Sequence, residues 1–380
     1  MKIKTIKEYI KNISLNKKLN FNGTRKTIKY FHENNKSNIS TIARTFISGS
    51  ILVLCFYSIP ILNNYIDKKN SSSKEYTNNS KQKLNLQLKG IGTKERKENK
   101  QIINEGDLFS DIFEIDEQPS DTVRLSASTI NQLFKETDYN LNDVRKKKLV
   151  KPVSLTLLPE EMKMIESTKE RKELFIQIVL PLILQENNYI RLDRKKLFAI
   201  LNKNNNTNLE KKWLIKKFKQ YGVPSKDLSV LKIRMDEVPV SLAIAQAAKE
   251  TGWGTSRFAQ EGNALYGQWT WSGNGLKPKG ADQDQNHKVM TFKVLQASVR
   301  AYQRNLNTHS SYMNFRAARA ELRDAKKPLD SLELSKHLDK YAETGKEYVE
   351  ILQKIIKQNK LKDFDDAKLL PSSIELESLI

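Results

Sequence analysis

PVSLAIAQAAKETGWGTSRFAQEGNALYG, residues Pro239 to Gly267, decides how this chain is read. Val240, Ala243, Ile244 and Ala247 recur at the i, i+3, i+4, i+7 spacing of a buried helical face, and Glu250 falls on the same stripe. Pro239 opens the helix and Gly252 closes it. A lone carboxylate therefore stands where an apolar helix must stop. An ionised acid in a last helical turn faces the negative end of the macrodipole, and here it adjoins Trp253 and apolar surface; both effects raise its pKa. A carboxyl kept protonated near neutral pH is what a general acid needs to protonate the leaving oxygen of a glycosidic bond.

Working outward, the 380 residues are 38% hydrophobic, enough for one sizeable core, while the Lys- and Asn-rich N-terminal third is too polar to join it. The formal charge of +22 favours an acidic polymer as partner. No helix-turn-helix, zinc-finger or RNA-binding signature focuses that charge, so nucleic acid is not expected, and a cell wall with acidic peptides or phosphate polymers serves the electrostatics equally well. The single cysteine, Cys55, rules out an intrachain disulfide. His32, His287, His309 and His337 show no metal-ligand spacing, so neither a metal nor another cofactor is expected.

The domain plan begins with a basic tail, 1–45, followed by the uncharged run FISGSILVLCFYSIPIL, 46–62, which is just long enough to span a bilayer. A cleaved signal peptide competes with an uncleaved anchor; the long basic region and the lack of an A-x-A-like site favour the anchor. Residues 63–125 read as a linker, and the Lys-, Asn- and Ser-rich part from Asp67 to Glu105 spans roughly 35 Å as a random coil. Residues 126–235 form a helical region with a helix start at Pro159 and an apolar helix over Glu170–Leu184. A functional domain over 236–362 follows, with a small β-hairpin predicted around the glycine-rich 267–280 and HKVMTFKVL, and a frayed tail over 363–380.

ETGWGTSRFAQEGNALYGQWTW, Glu250 to Trp271, closely resembles the signature of the bacterial Bax-type proteins, a branch of the endo-β-N-acetylglucosaminidases of glycoside hydrolase family 73. The resemblance continues through ASVRAYQRNLNTHSSYMNFRAARAELR at Ala297–Arg323 and YAETGKEYVEILQKIIKQN at Tyr341–Asn359, and back to ERKELFIQIVLPLIL at Glu170. It implies a mainly α, lysozyme-like glucosaminidase domain with a small β lobe, preceded by a helical layer and an N-terminal membrane segment. It also implies peptidoglycan glycan strands as substrate, cleaved after N-acetylglucosamine. Lys and Arg are about equally frequent on the two sides of 46–62, so orientation follows from the substrate: the tail inside, the catalytic domain outside the cytoplasmic membrane.

Most glycosidases use two carboxylates. Where the resemblance implies an acid in the β lobe, this chain has Lys288, within Asn286-His287-Lys288-Val289. Asp282 and Asp284 lie upstream and are candidate bases; Glu261, beside Gly262, reads as a turn residue. Alternatively, the N-acetyl group of the substrate serves as nucleophile, and one protein acid suffices. The resemblance also implies a functional tyrosine, matched by Tyr341 or Tyr348; the spacing does not decide between them, and Tyr348 is slightly favoured. Trp253, Tyr266, Trp269 and Trp271 offer flat faces for pyranose rings, Trp269 and Trp271 foremost, with Trp253 equally suited to packing under the cleft floor. Asn263 is a substrate candidate that can also cap a turn, and His309 reads as a structural hydrogen-bonder. The alternatives to hydrolysis are lytic transglycosylase action and a wall-binding module that has lost turnover.

Overall fold

The computed structural model describes residues 105–116, 123–270, 275–277 and 288–371. The proposed membrane run 46–62, most of the 63–125 linker, Trp271, Asp282 and Asp284 lie outside the described residues. Contacts divide the chain after Asn85, and every described residue belongs to the second unit, Leu86–Ile380.

That unit is mainly helical. In chain order it contains α1 (Glu105–Asp116), α2 (Ala127–Glu136), α3 (Leu141–Lys147), β1 (Leu149–Val150), α4 (Thr168–Leu201), α5 (Asn208–Gln220), α6 (Leu228–Arg234), α7 (Val240–Thr251) and α8 (Arg257–Gly262). Strands β2 (Trp269–Thr270), β3 (Gly275–Leu276) and β4 (Lys288–Met290) precede α9 (Leu295–Thr308), α10 (Met313–Asp324), α11 (Ser331–Ser335), α12 (Lys346–Gln358) and β5 (Lys368–Leu369). The helix expected over Glu170–Leu184 runs on to 34 residues as α4, capped by Ser167 and carrying Pro181 inside it. At Pro159 the chain makes only a single 3₁₀ turn, Glu160–Lys163, before the next cap. No helix among the described residues is long and apolar enough to cross a membrane.

Helix α7 is the hub. Every residue from Val240 to Ala248 is buried, because α4, α12 and the 3₁₀ turn Leu361–Phe364 pack around it. Its four buried alanines, at 243, 245, 247 and 248, leave room for those neighbours to approach. The apolar stripe seen in the sequence is thus one side of a helix enclosed on nearly all sides. The same core includes Ile130 and Phe134 of α2, Phe175 and Val179 of α4, and Tyr302, Leu352 and Phe364, so residues 127–184 share one interior with the domain that follows, while Leu197, Phe218, Tyr221, Val230 and Met235 form a second cluster. Burying one large aliphatic or aromatic side chain there contributes about 1.5–3 kcal/mol.

Two expectations are corrected. The linker assigned to 63–125 contains α1, whose Leu108 and Ile112 are buried and whose Asp111 binds Arg304 of α9 at 2.9 Å. Two apolar side chains four residues apart suffice once a neighbouring arginine pairs with the acid between them. The tail assigned to 363–380 is folded as far as residue 371: Phe364 and Ala367 are buried, and β5 pairs in parallel with β1. Asp365 explains why. Its carboxylate accepts from Ser241 N–H and from Ser241 Oγ, both at 2.8 Å, and so caps the N-terminus of α7, where Pro239 supplies no side-chain cap.

The small β lobe is a three-stranded antiparallel sheet in the order β2-β4-β3, one strand more than the predicted hairpin. Gly275 is required in it, since a Cβ there would meet Lys288 Cβ at 2.6 Å and Val289 O at 2.8 Å. Below the sheet, Met290, Phe292 and Val294 pack with Ile112 of α1 and Ala297 and Ala301 of α9.

Candidate active site

Glu250 sits in the last turn of α7, half-buried. Gly252 ends the helix in the left-handed region (φ 58°), and its N–H and that of Trp253 both bond Ala248 O. The turn stays left-handed through Trp253 (φ 62°) and Gly254 (φ 83°). A non-glycine residue there costs about 1 kcal/mol, and Trp253 is held by its ring, which meets Phe175 edge-on at 5.9 Å and lies under Lys172 Nζ at 5.0 Å. Gly254 must be glycine, because a Cβ would stand 3.0 Å from Phe175 and 3.2 Å from Met162. The GWG sequence thus folds the chain sharply away and leaves the Glu250 carboxyl at the junction between the helical body and the β lobe.

Two surroundings define that carboxyl. Tyr348 of α12 donates its hydroxyl to Oε1 at 2.9 Å. Oε2 faces Gly267, where a Cβ would come to 3.3 Å and where the chain is again left-handed (φ 61°). Burial pushes the Glu250 carboxyl above the usual carboxylate range; the Tyr348 bond and the charge of Lys249 oppose that shift without cancelling it. Among the described residues, neither group acting on Glu250 is a carboxylate.

Behind the acid runs a buried polar chain. Gln246, one turn earlier on α7, donates from Nε2 to the Tyr348 oxygen at 3.1 Å and accepts from the Tyr302 hydroxyl of α9 at 2.7 Å. Tyr302 is stacked on Tyr266, with ring centres 3.7 Å apart and planes 6° from parallel. Tyr341 stacks on Tyr348 at 5.5 Å and donates to Tyr266 O at 2.9 Å, and Tyr312 leans on Tyr341 at 5.8 Å. Burial raises the hydroxyl pKa of Tyr348, Tyr302 and Tyr341, and that of Tyr312 to about 12, so all four remain neutral.

The candidates from the sequence separate accordingly. Glu250, Tyr348 and Tyr341 are brought together, Tyr348 touching the acid and Tyr341 backing Tyr348. Trp253 packs as floor. Tyr266 is 1% exposed and inside the core, so it offers no face to a sugar. Asn263 is also structural: it caps α8 in the left-handed region, and its amide donates to Phe292 O at 2.9 Å and Lys293 O at 3.1 Å, tying the helix to the β lobe. Trp269 stands 47% exposed on β2, two residues beyond Gly267. Glu261 pairs with Arg257 at the surface. His309 accepts from Ser311 N–H at 3.2 Å through Nδ1, and burial together with Arg316 lowers its pKa below the ordinary histidine value. Lys288 heads the central strand β4, opposite Thr270. Trp271, Asp282 and Asp284 are not among the described residues. Gln246 and Tyr302 were not singled out from the sequence, where each reads as an ordinary buried position on an amphipathic helix.

Comparison with known proteins gives the site its context. Residues 231–361 match the model of the glucosaminidase family, described as mannosyl-glycoprotein endo-beta-N-acetylglucosaminidase. Over 194 residues the chain is 30% identical to Protein bax of Escherichia coli (strain K12), an alignment that covers 50% of this chain and 69% of that protein. The chain belongs to this glucosaminidase family. No solved structure matches it. The match to the glucosaminidase model contains α7, the β lobe, α9 and α12, the elements that carry Glu250, Gly267, Tyr302 and Tyr348. Membership makes the domain one for glycoside hydrolysis, with a glycan such as peptidoglycan as substrate.

Proposed function

We propose that this protein is a membrane-anchored peptidoglycan hydrolase that cleaves the β-1,4 bond after N-acetylglucosamine, with Glu250 as general acid. The observation that carries the reading is the state of that carboxyl: desolvated at the end of α7, held at Oε1 by Tyr348 and open at Oε2 beside Gly267. Such an acid keeps its proton to higher pH than an exposed one and can give it to a leaving oxygen.

Strand β4 carries Lys288 where an acid was sought. This supports substrate assistance. The N-acetyl carbonyl oxygen attacks C1 of its own sugar as the C1–O bond breaks and Glu250 protonates the departing oxygen. Water then opens the bicyclic intermediate, returning a proton to Glu250. Trp269 offers its exposed face to a pyranose ring. The uncharged run 46–62 would hold the enzyme in the cytoplasmic membrane with this domain outside, and the partners are glycan strands and lipid, not nucleic acid.

The same one-acid surroundings also suit a lytic transglycosylase, which would leave anhydro-muramyl ends. The variant Glu250→Gln tests the acid itself. Turnover of purified peptidoglycan by the full-length chain should fall by at least about 100-fold, within the range for one acid–base group, while wall binding persists. Full turnover in the variant would remove Glu250 from the mechanism, and no turnover by the native chain would make the protein a wall-binding module.

A further inference from the structure

Glu250 receives its hydrogen bond from a tyrosine whose own oxygen is already engaged, and the direction of every bond behind it is fixed by what each group can do. We propose that Gln246 is a positioning residue that sets the direction of the Tyr348–Glu250 hydrogen bond, so that Oε1 is held as an acceptor and Oε2 is the oxygen that carries the proton to the substrate. The inference rests on the reading of Glu250 as general acid.

The argument starts at Tyr302. Its hydroxyl is wholly buried, and its hydrogen-bond partner is Gln246 Oε1 at 2.7 Å. A buried hydroxyl proton needs an acceptor, so the amide must present its carbonyl to Tyr302 and its N–H to Tyr348. An amide N–H can only donate, so the Tyr348 oxygen accepts at 3.1 Å. The Tyr348 proton is then directed to Glu250 Oε1 at 2.9 Å. Turned end for end, Gln246 would leave the Tyr302 proton without an acceptor among the described residues and would offer its carbonyl to Tyr348, in competition with Glu250. The stack of Tyr302 on Tyr266 and of Tyr348 on Tyr341 holds both phenols in place, so the choice lies with the amide. With Oε1 occupied by a donor, the acid's proton is carried on Oε2, on the side where Gly267 leaves space.

The groups that face Glu250 are Tyr348 of α12, Tyr341 before it, Tyr302 of α9, Tyr312 in the 3₁₀ turn after α9, and Lys249 on α7. The phenols are neutral over the working range and Tyr302 shares no hydrogen bond with Glu250, so a change in the titration of Glu250 on altering Tyr302 that disappears with methionine at 246 passes through Gln246.

The experiment titrates Glu250 directly in the full-length chain by infrared difference spectroscopy of its protonated carbonyl stretch, with Glu250→Gln as blank, beside the pH profile of kcat/KM. Tyr348→Phe removes the donor outright and should raise the Glu250 pKa by about one unit, the worth of a hydrogen bond to a charged group. Tyr302→Phe removes no hydrogen bond of Glu250, yet it frees the amide to turn and should raise the pKa by about half that. In Tyr302→Phe/Gln246→Met no amide competes for the Tyr348 proton, and the pKa should return towards the native value. The proposal is overturned if Tyr302→Phe leaves the pKa unchanged while Tyr348→Phe moves it, or if the Tyr302→Phe shift persists with methionine at 246. Because the titration needs no turnover, a Glu250→Gln variant with full activity would sink the hydrolase reading while leaving the hydrogen-bond chain to be judged separately.

Discussion

At the scale of single residues, the account turns on a carboxyl kept from water. Burial raises the Glu250 pKa, so the folded protein binds that proton more tightly than the unfolded chain does. The stabilising effect is fully present below the unfolded value of 4.5 and is lost as pH rises through the folded pKa. Glu250→Gln carries no such dependence, and its thermal midpoint should gain on the native protein as pH rises above the unfolded value of 4.5; a constant difference would mean that the carboxyl is not desolvated. On the proposed reading of Glu250 as general acid, the same group should set the alkaline limb of kcat/KM, since the acid works only while protonated. Gly267→Ala adds a Cβ 3.3 Å from Oε2 at a left-handed position, and should cost about 1 kcal/mol in stability as well as turnover. The place of Glu250 in the last turn of a buried helix was legible in the sequence, because helix punctuation and apolar spacing are local. Tyr348, 98 residues away, was legible only through family resemblance. Gln246 and Tyr302 were not legible, because their roles come from a meeting of α7 and α9 that no local pattern encodes.

At the scale of elements, the question is what holds α7 still. One end is capped by Asp365, 124 residues distant, whose carboxyl is pushed up to about 6 by burial against the downward pull of Ser241. Asp365→Ala should cost about 1 kcal/mol or more in urea denaturation, the worth of a helix cap; an unchanged midpoint would mean that the C-terminal segment does not dock. The chain entering α7 is pinned by Asp236, which meets Arg323 at 2.9 Å and Arg194 at 3.6 Å, and by Arg319, which donates to Asp236 O and Glu237 O. Burial pushes the Asp236 carboxyl up, and Arg319, Arg194 and Arg323 outweigh that and hold it below the usual range. Its stabilisation is therefore present at neutral pH and is lost as pH falls. Asp236→Asn strands the buried Arg319 guanidinium and should cost about 3 kcal/mol, measured as a lower denaturant midpoint. The sequence showed the helices but neither clamp: a polar tail reads as frayed until Asp365 is seen to meet an uncapped helix start.

At the scale of the whole molecule, a folded glucosaminidase unit lies in a chain of net charge +22. That charge suits an acidic wall and predicts retention that weakens with salt. Retention on purified peptidoglycan should drop several-fold between about 50 mM and about 500 mM NaCl as the Debye length shrinks; salt-independent retention would assign binding to the sugar-contacting groups alone. A folded unit after the polar N-terminal third was legible because composition changes abruptly along the chain, whereas the extension of the fold to α1 and β5 depends on partners remote in sequence. What the unit does to its substrate is read most directly at the new chain ends. Purified peptidoglycan digested with the full-length protein should yield reducing N-acetylglucosamine ends by mass spectrometry, and none with Glu250→Gln; anhydro-muramyl ends, or no new ends at all from the native chain, would contradict the account.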